Sequence, residues 1–309
     1  MWKWKKIRRK IRYRFIYASV QLMIFSSNLM PRGVWLGLCG KLGSLAYLLA
    51  SHSRKLSIQH LTVAFGSEKN AKEIQKMARE VFVSIGKNAG DIIRAFNIHD
   101  FPSFERIRKT NGMENAERAF AKGKGVIFLT AHIGAFEFIG TELSFRGYKP
   151  MIIGAPMKDE KLNRLLWEQR NKFGASAIEM GKETMRIMKT LKRGGTLIIL
   201  IDQDIRVKSV FINFFEKPCA TPIGAALFAL KTGAAIVPIF YHLRSDGLQE
   251  VNCYPEVEMT ITDSEENDLT SNTQKLIDII EVEIRKYPSQ WVWMHERWKT
   301  KPGEEIRYY

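Results

Sequence analysis

Cysteine is scarce in this chain. Only Cys39, Cys219 and Cys253 occur, far apart and without metal-ligand spacing. An odd, dispersed set excludes a zinc finger or a disulfide scaffold and implies reduced thiols in a cytosol-facing protein. Apolar runs of membrane-spanning length are also missing. The two longest near the N-terminus, "FIYASVQLMIFSSNLM" (15–30) and "VWLGLCGKLGSLAYLLA" (34–50), are separated by "PRG", and the second carries Lys41 and several glycines. A helix of the first run reaches about 24 Å, short of the roughly 30 Å hydrocarbon core. No small-x-small cleavage site precedes a polar mature start, which argues against a secretory signal. Internal repeats, low-complexity segments and a glycine-rich nucleotide loop are absent. Acidic residues are absent from the first fourteen positions.

What stands there instead is a basic arm: Lys3, Lys5, Lys6, Arg8, Arg9, Lys10, Arg12 and Arg14, half of a net charge of +16. Followed by apolar sequence, such an arm suits an anionic membrane surface, where each cation is worth roughly 1 kcal/mol. A nucleic-acid arm would run on into polar or helical-basic sequence, so nucleic acid is not the expected partner. Arg54 and Lys55 put positive charge at the far end too. Charge on both sides favours a shallow hairpin or interfacial helices that return the chain to the cytoplasmic side. A single span, and two core helices of a soluble protein, are the alternatives.

The 45% apolar and 26% charged residues are those of a folded protein. Between Ser67 and Phe96, the positions Ile74, Met77, Val81, Ile85, Ala89, Ile92 and Phe96 recur at three- and four-residue steps and predict an amphipathic helix. Beyond Gly123, β-branched runs at 125–131, 149–156, 196–204 and 234–243 alternate with helical patterns near 134–146, 159–173, 182–193 and 221–232, and 268–287 reads as a last helix. The expected fold is α/β: a mixed, mostly parallel sheet flanked by helices, with an N-terminal membrane-associated helical extension. The expected division is 1–50 for the arm and membrane-associated helices and 51–309 for the α/β domain.

The chemistry concentrates in "LTAHIGAFEF" (129–138). In an open α/β sheet, ligands bind where strands end and helices begin. The run 125–131 delivers His132 to such an edge, and Gly134 permits a tight turn into a helix that carries Glu137 on its first turn. A carboxylate that holds one ring nitrogen fixes the tautomer and leaves the other nitrogen as a base. With no serine or cysteine nucleophile nearby, the simplest chemistry is removal of a proton from a substrate hydroxyl during acyl transfer. On spacing alone, a buried structural histidine or a chance pairing is the favoured reading. The pair of carboxylates in "DQD", Asp202 and Asp204, raises a second class, a metal-dependent membrane glycosyltransferase with Mg²⁺ or Mn²⁺ on a diphosphate. A non-catalytic membrane scaffold is a third. The cluster "QWVWMHERW" (290–298) reads as packing under the last helix.

The blocks "TAHIGAFEF" (130–138), "NRLLWEQRNKFG" (163–174), "LKRGGTLIILIDQD" (191–204), "VFINFFEKPCATPIGAALFALKTGAAIVPIF" (210–240) and "YPSQWVWMHERWKTKP" (287–302), in this order, resemble the late acyltransferases of lipid A assembly, the lauroyl/myristoyl transferases of the lysophospholipid acyltransferase superfamily. The resemblance implies His132 as general base and Glu137 as its orienting carboxylate. Arg170 and Asn163 would serve the oxyanion or a substrate phosphate, and Asp202 and Asp204 the strand-end loop facing the site. It implies transfer from an acyl carrier protein thioester to a hydroxyl of a lipid A precursor at the cytoplasmic face of a bacterial inner membrane, with no metal or organic cofactor. A glycolipid or lysophospholipid acceptor served by acyl-CoA is the variant within the class. The basic surface suits an acidic carrier and an anionic glycolipid alike. One departure stands out: where the family often has glycine after the paired phenylalanines, Glu216 follows Phe214 and Phe215, and its side chain is expected to reshape the acyl pocket.

Overall fold

The computed structural model describes residues 2–304. Four helices come first: α1 (Trp2–Leu29), α2 (Arg32–Leu49), α3 (Ser51–Phe65) and α4 (Ala71–Arg94). The basic arm and the first apolar run are thus one continuous helix. The amphipathic pattern expected over 67–96 is α4, begun by a capping box in which Asn70 accepts from the Lys72 and Glu73 amides and Glu73 reaches back to the Asn70 amide. The N-terminal helices are tied to it by directional bonds. Arg32 forms a two-pronged pair with buried Asp91, the Trp35 indole donates to the Gly90 carbonyl at 2.8 Å, and Arg94 donates to the Ser27 carbonyl near the end of α1 and to that of Met30 just past it.

The α/β part follows as α5 (Phe101–Glu105), β1 (Arg108–Asn111), α6 (Glu114–Ala121), β2 (Val126–Thr130), α7 (Phe138–Phe145), β3 (Met151–Gly154), α8 (Glu160–Asn171), β4 (Ser176–Glu179), α9 (Thr184–Lys192), β5 (Thr196–Leu200), β6 (Ser209–Phe214), β7 (Lys217–Pro222), α10 (Gly224–Thr232), β8 (Ala235–Leu243), β9 (Gln249–Cys253) and α11 (Glu265–Lys286). Seven strands form one sheet in the order β1-β9-β8-β2-β5-β3-β4. All neighbours in it are parallel except β8 and β9. Both faces are covered, as the near-continuous apolar strands require. Ile127, Leu129, Leu197, Ile199 and Ile236 pack toward Phe65, Ile74, Phe228 and Ile277 on one side. Phe128, Ile198, Val237 and Ile239 pack toward Ala116, Phe138 and Leu143 on the other. The mixed, mostly parallel sheet flanked by helices is therefore the observed architecture.

Two features of the sheet position the site. β2 and β5 pair to their last residues, Thr130 opposite Leu200, so the segments leaving them start side by side. β3, by contrast, pairs with β5 only at Met151–Leu197 and Ile152–Ile198, while it stays with β4 through Gly154. The sheet therefore parts between β5 and β3 toward its C-terminal edge.

β6 and β7 form a separate antiparallel hairpin whose two turn residues, Phe215 (φ 48°) and Glu216 (φ 58°), both adopt the left-handed conformation. Asn-Gly is the ordinary choice there. Here the buried Phe215 ring, packed edge-on to Phe65 and beside Trp293, holds the turn. The hairpin lies along α11, where the Gln274 and Glu281 side chains accept from the Asn213 and Phe215 amides. Glu216 is exposed at its tip and lines no part of the cavity described below. The expectation that its side chain reshapes that cavity is corrected accordingly: the hairpin points its turn at α11, not at the strand ends.

Candidate active site

His132 stands two residues past the end of β2 and Asp202 two residues past the end of β5. Because the strands end in register, the two meet. Asp202 Oδ1 lies 2.9 Å from His132 Nδ1, and Asp202 Oδ2 accepts the His132 backbone N–H at 2.9 Å. The Trp291 indole donates to the same Oδ2 at 2.7 Å. Asp202 is fully buried, whereas the His132 side chain is 26% exposed. The ring's remaining nitrogen, Nε2, makes no hydrogen bond among the described residues.

Gly134 shapes the loop between His132 and α7. Its φ is +57°, and a Cβ there would collide with the Tyr241 carbonyl. Only glycine allows the loop to lie this close to β8. The expected short turn into a helix is replaced by a longer one: Glu137 sits just before α7, at its N-cap position, and not on its first turn.

This changes the partner of Glu137. Its carboxylate takes a two-pronged pair from Arg170 of α8, at 2.9 Å from Nε and 2.5 Å from Nη2. The carboxylate bonded to His132 is Asp202, and no hydrogen bond joins His132 to Glu137 among the described residues. A two-pronged guanidinium–carboxylate pair fixes Arg170 in plane. Its third nitrogen, Nη1, is buried without a hydrogen-bond partner among the described residues and lies where a Cβ on residue 154 would be, so Gly154 is the residue that admits it.

The other sequence candidates stand further off. Asn163 accepts the Met157 amide at 2.8 Å and orders the loop before α8. Asp204 accepts the Thr300 amide at 2.7 Å and its hydroxyl at 3.0 Å, fastening the C-terminal segment. Neither lines the cavity. The two "DQD" carboxylates are thus committed to different protein donors, and among the described residues no cluster of three His, Cys, Asp or Glu could hold a metal ion. His295 is half-buried near the pair, and burial pulls its imidazole down to about 4 despite the Asp202 charge, so it is neutral.

Where the sheet parts between β5 and β3, a cavity of about 640 Å³ opens. His132, Glu137 and Arg170 occupy its polar end together with Gln203. Glu179, Thr184, Arg206 and Lys208 also reach its wall, and most of the remainder is hydrocarbon, including Ile152, Ile187, Ile199, Leu227 and Phe228. An apolar cavity with a few convergent polar groups is the ordinary form of a site for a largely apolar ligand.

The electrostatics suit a base. Burial alone would lower the His132 imidazole, but the Asp202 charge and hydrogen bond, with Glu137 behind them, outweigh it and raise the group above its ordinary value. Burial likewise would raise the Asp202 carboxyl, yet His132, the indole and the backbone amide bring it down to about 2. Sequence spacing pointed to His132 but missed Trp291, whose indole reaches the site only because β5 and the C-terminal segment converge there.

Comparison with known proteins gives a consistent picture. Residues 1–300 match the family described as bacterial lipid A biosynthesis acyltransferase. Lipid A biosynthesis palmitoleoyltransferase of Escherichia coli K12 is 27% identical over 288 residues, 91% of this chain and 90% of the relative. Lipid A biosynthesis lauroyltransferase of the same organism is 28% identical over 283 residues, 87% of each. Phosphatidylinositol mannoside acyltransferase of Mycolicibacterium smegmatis is 26% identical over 194 residues, 61% of this chain and 62% of the relative. With a histidine–aspartate pair at the head of an apolar cavity and a match spanning nearly the whole sequence, the chain belongs to the bacterial lipid A biosynthesis acyltransferase family.

Proposed function

We propose that this acyltransferase moves a fatty acyl chain from the thioester of an acyl carrier protein to a hydroxyl group of a lipid A precursor, at the cytoplasmic face of the inner membrane. The observation that carries the reading is the His132 ring: Nδ1 is held by Asp202 while Nε2 is free on a residue lining the apolar cavity. Nε2 takes the proton of the acceptor hydroxyl, whose oxygen attacks the thioester carbonyl. The oxyanion that forms is met by positive charge at Arg170, which Glu137 holds in place. The intermediate collapses to the ester, and the imidazolium returns its proton to the departing thiolate. Asp202 orients the ring and stabilises its protonated form, as the buried aspartate does in hydrolase triads. Glu137 in this reading positions Arg170 and adds negative charge behind the imidazole.

Three further observations support donor, acceptor and place. Lys189, Lys192 and Arg193 on and after α9 are exposed and make no ion pair among the described residues, next to Thr184 and Ile187 at the cavity. That surface fits an acidic carrier. Arg206 and Lys208 also line the cavity, which suits a phosphorylated acceptor. At the N-terminus, Ile7, Ile11, Phe15, Leu22, Phe25 and Leu29 leave an exposed apolar stripe at helical spacing along α1, which suits an interface lined with anionic lipid. No single helix among the described residues is long and apolar enough to cross a membrane; α2 and α3 together pass that test as a pair bent by 93°.

The test is mass spectrometry of lipid A from a strain lacking its own late acyltransferases, expressing wild type, His132→Ala, Asp202→Asn or Glu137→Gln. Wild type adds one acyl mass and His132→Ala adds none. An unchanged lipid A mass with wild type overturns the acceptor, and equal transfer by wild type and His132→Ala overturns the base.

A further inference from the structure

Trp291 is fully buried, and in the sequence it reads as packing. A buried indole usually places its N–H on an acceptor; Trp35 and Trp293 do so on the backbone carbonyls of Gly90 and Pro288, while the buried Trp167 and Trp298 nitrogens have no hydrogen-bond partner among the described residues. Trp291 instead donates at 2.7 Å to Oδ2 of the carboxylate that holds His132. The segment around it is laid directly against the histidine loop. Trp291 forms an antiparallel bridge with Ile133, and the Gly134 amide donates to the Gln290 carbonyl at 3.0 Å. Asp202 therefore carries three donors from two directions. Two come from His132, and both would move with the loop. The indole is the donor from outside the loop. Edge-on contacts with Phe214 at 5.7 Å and Trp293 at 4.7 Å fix the plane of its ring.

Resting on the reading of His132 as the base, we infer that Trp291 is a positioning residue for the transfer reaction: its indole N–H orients Asp202 and limits how strongly that carboxylate holds the protonated imidazole. Without the N–H, Oδ2 keeps only the His132 amide, and the carboxylate is freer to turn. More of its charge also falls on the imidazole, which then stays protonated to higher pH. The C-terminal segment thus acts on the reaction without touching substrate.

The experiment uses the full chain in vesicles, with an acyl carrier thioester as donor and a lipid A precursor as acceptor. It compares wild type, Trp291→Phe, Asp202→Asn and the double variant. A fifth protein carries 3-benzothienylalanine at position 291, a ring of indole shape without the N–H, so the result does not depend on Trp291→Phe folding. The expected result for both 291 variants is a kcat about tenfold lower, the scale of an outer-shell partner, with KM unchanged and the acid limb of the rate profile moved to higher pH. In the Asp202→Asn background, Trp291→Phe costs nothing further, because both act through one carboxylate. An unshifted acid limb with losses that multiply in the double variant overturns the inference and leaves Trp291 as packing. If Asp202→Asn is itself fully active, the reading of the His132–Asp202 pair fails instead, and the two failures are told apart.

Discussion

At the scale of single residues, the site is governed by the sign of one shift. The His132 imidazole lies above its ordinary value of 6.5, because the Asp202 charge and hydrogen bond outweigh the opposing effect of burial. In the proposed reaction His132 is the base and must be unprotonated, so kcat/KM is expected to fall tenfold per pH unit below that raised value, with the acid limb above 6.5. Asp202→Asn removes the charge that raises it. The limb then moves down even as the rate drops by about 10³–10⁴, the scale of losing the orienting carboxylate of a triad. A pH profile of both proteins checks this, and a limb that stays in place in Asp202→Asn would contradict it. Stability follows the same linkage with opposite signs at the two partners. The raised His132 contributes stability that is complete below 6.5 and is lost as pH rises through its folded value. The depressed Asp202 contributes stability present above 3.8 and lost as pH falls through about 2. The pair is therefore most stabilising in the mildly acidic window where the proposed base is least active.

At the scale of elements, α7 is fixed behind the site by the fully buried Glu142. Its carboxylate pairs with Arg108 of β1 and with Arg146 one turn on, and it accepts the Tyr241 hydroxyl of β8 at 3.0 Å. Glu142→Ala leaves buried cationic and hydroxyl groups unpaired, and a loss of about 3–5 kcal/mol is expected. Denaturant unfolding measures it, and a change under 1 kcal/mol would show the cluster to be incidental. On the outer side, reversing charge at Lys189, Lys192 and Arg193 beside α9 is expected to raise KM for a carrier-bound donor about tenfold or more while leaving that for an acyl-CoA surrogate unchanged. Equal effects on both donors would place the carrier elsewhere. Much of this framework was legible in the sequence, since β2, β3, β5 and β8 are apolar runs and α4 a clean amphipathic helix. The polar edge strands β1, "RKTN", and β4, "SAIE", carry no comparable pattern. The β6–β7 turn was hidden because Phe215–Glu216 stands where glycine or asparagine signals a hairpin. In the site, spacing found His132 and proposed the near carboxylate. The carboxylate that binds the ring is 70 residues away, and only the register of β2 against β5 brings it there.

At the scale of the whole molecule, the charge and the exposed hydrocarbon gather in the same N-terminal helix. Arg8, Arg9, Lys10, Arg12 and Arg14 are exposed on α1, and the apolar stripe runs along it to Leu29. On α2, Val34, Leu38, Leu42, Leu45 and Leu48 continue the pattern, while Trp35, Leu36 and Cys39 turn inward. Hydrocarbon left outward at helical spacing on two successive helices marks a surface that another apolar phase covers. The C-terminal end of α1 is held to the body by Arg94 and by Asn97, which donates to the Ile24 carbonyl at 3.0 Å. A membrane that takes up the helices therefore also fixes the enzyme at the surface from which an acylated lipid would be drawn. The two contributions separate experimentally. Binding to vesicles containing anionic lipid is expected to weaken with salt, because the cations act through a screened potential worth roughly 1 kcal/mol each. Replacing Phe15, Leu22 and Phe25 with serine removes apolar burial of about 1.5–3 kcal/mol per side chain. That variant should lose most of the salt-resistant binding while keeping its transfer rate on detergent-dispersed acceptor. Vesicle sedimentation at low and high salt reads both quantities. Salt-resistant binding that persists in the triple variant would mean that the outward stripe of α1 is not the face that meets the lipid.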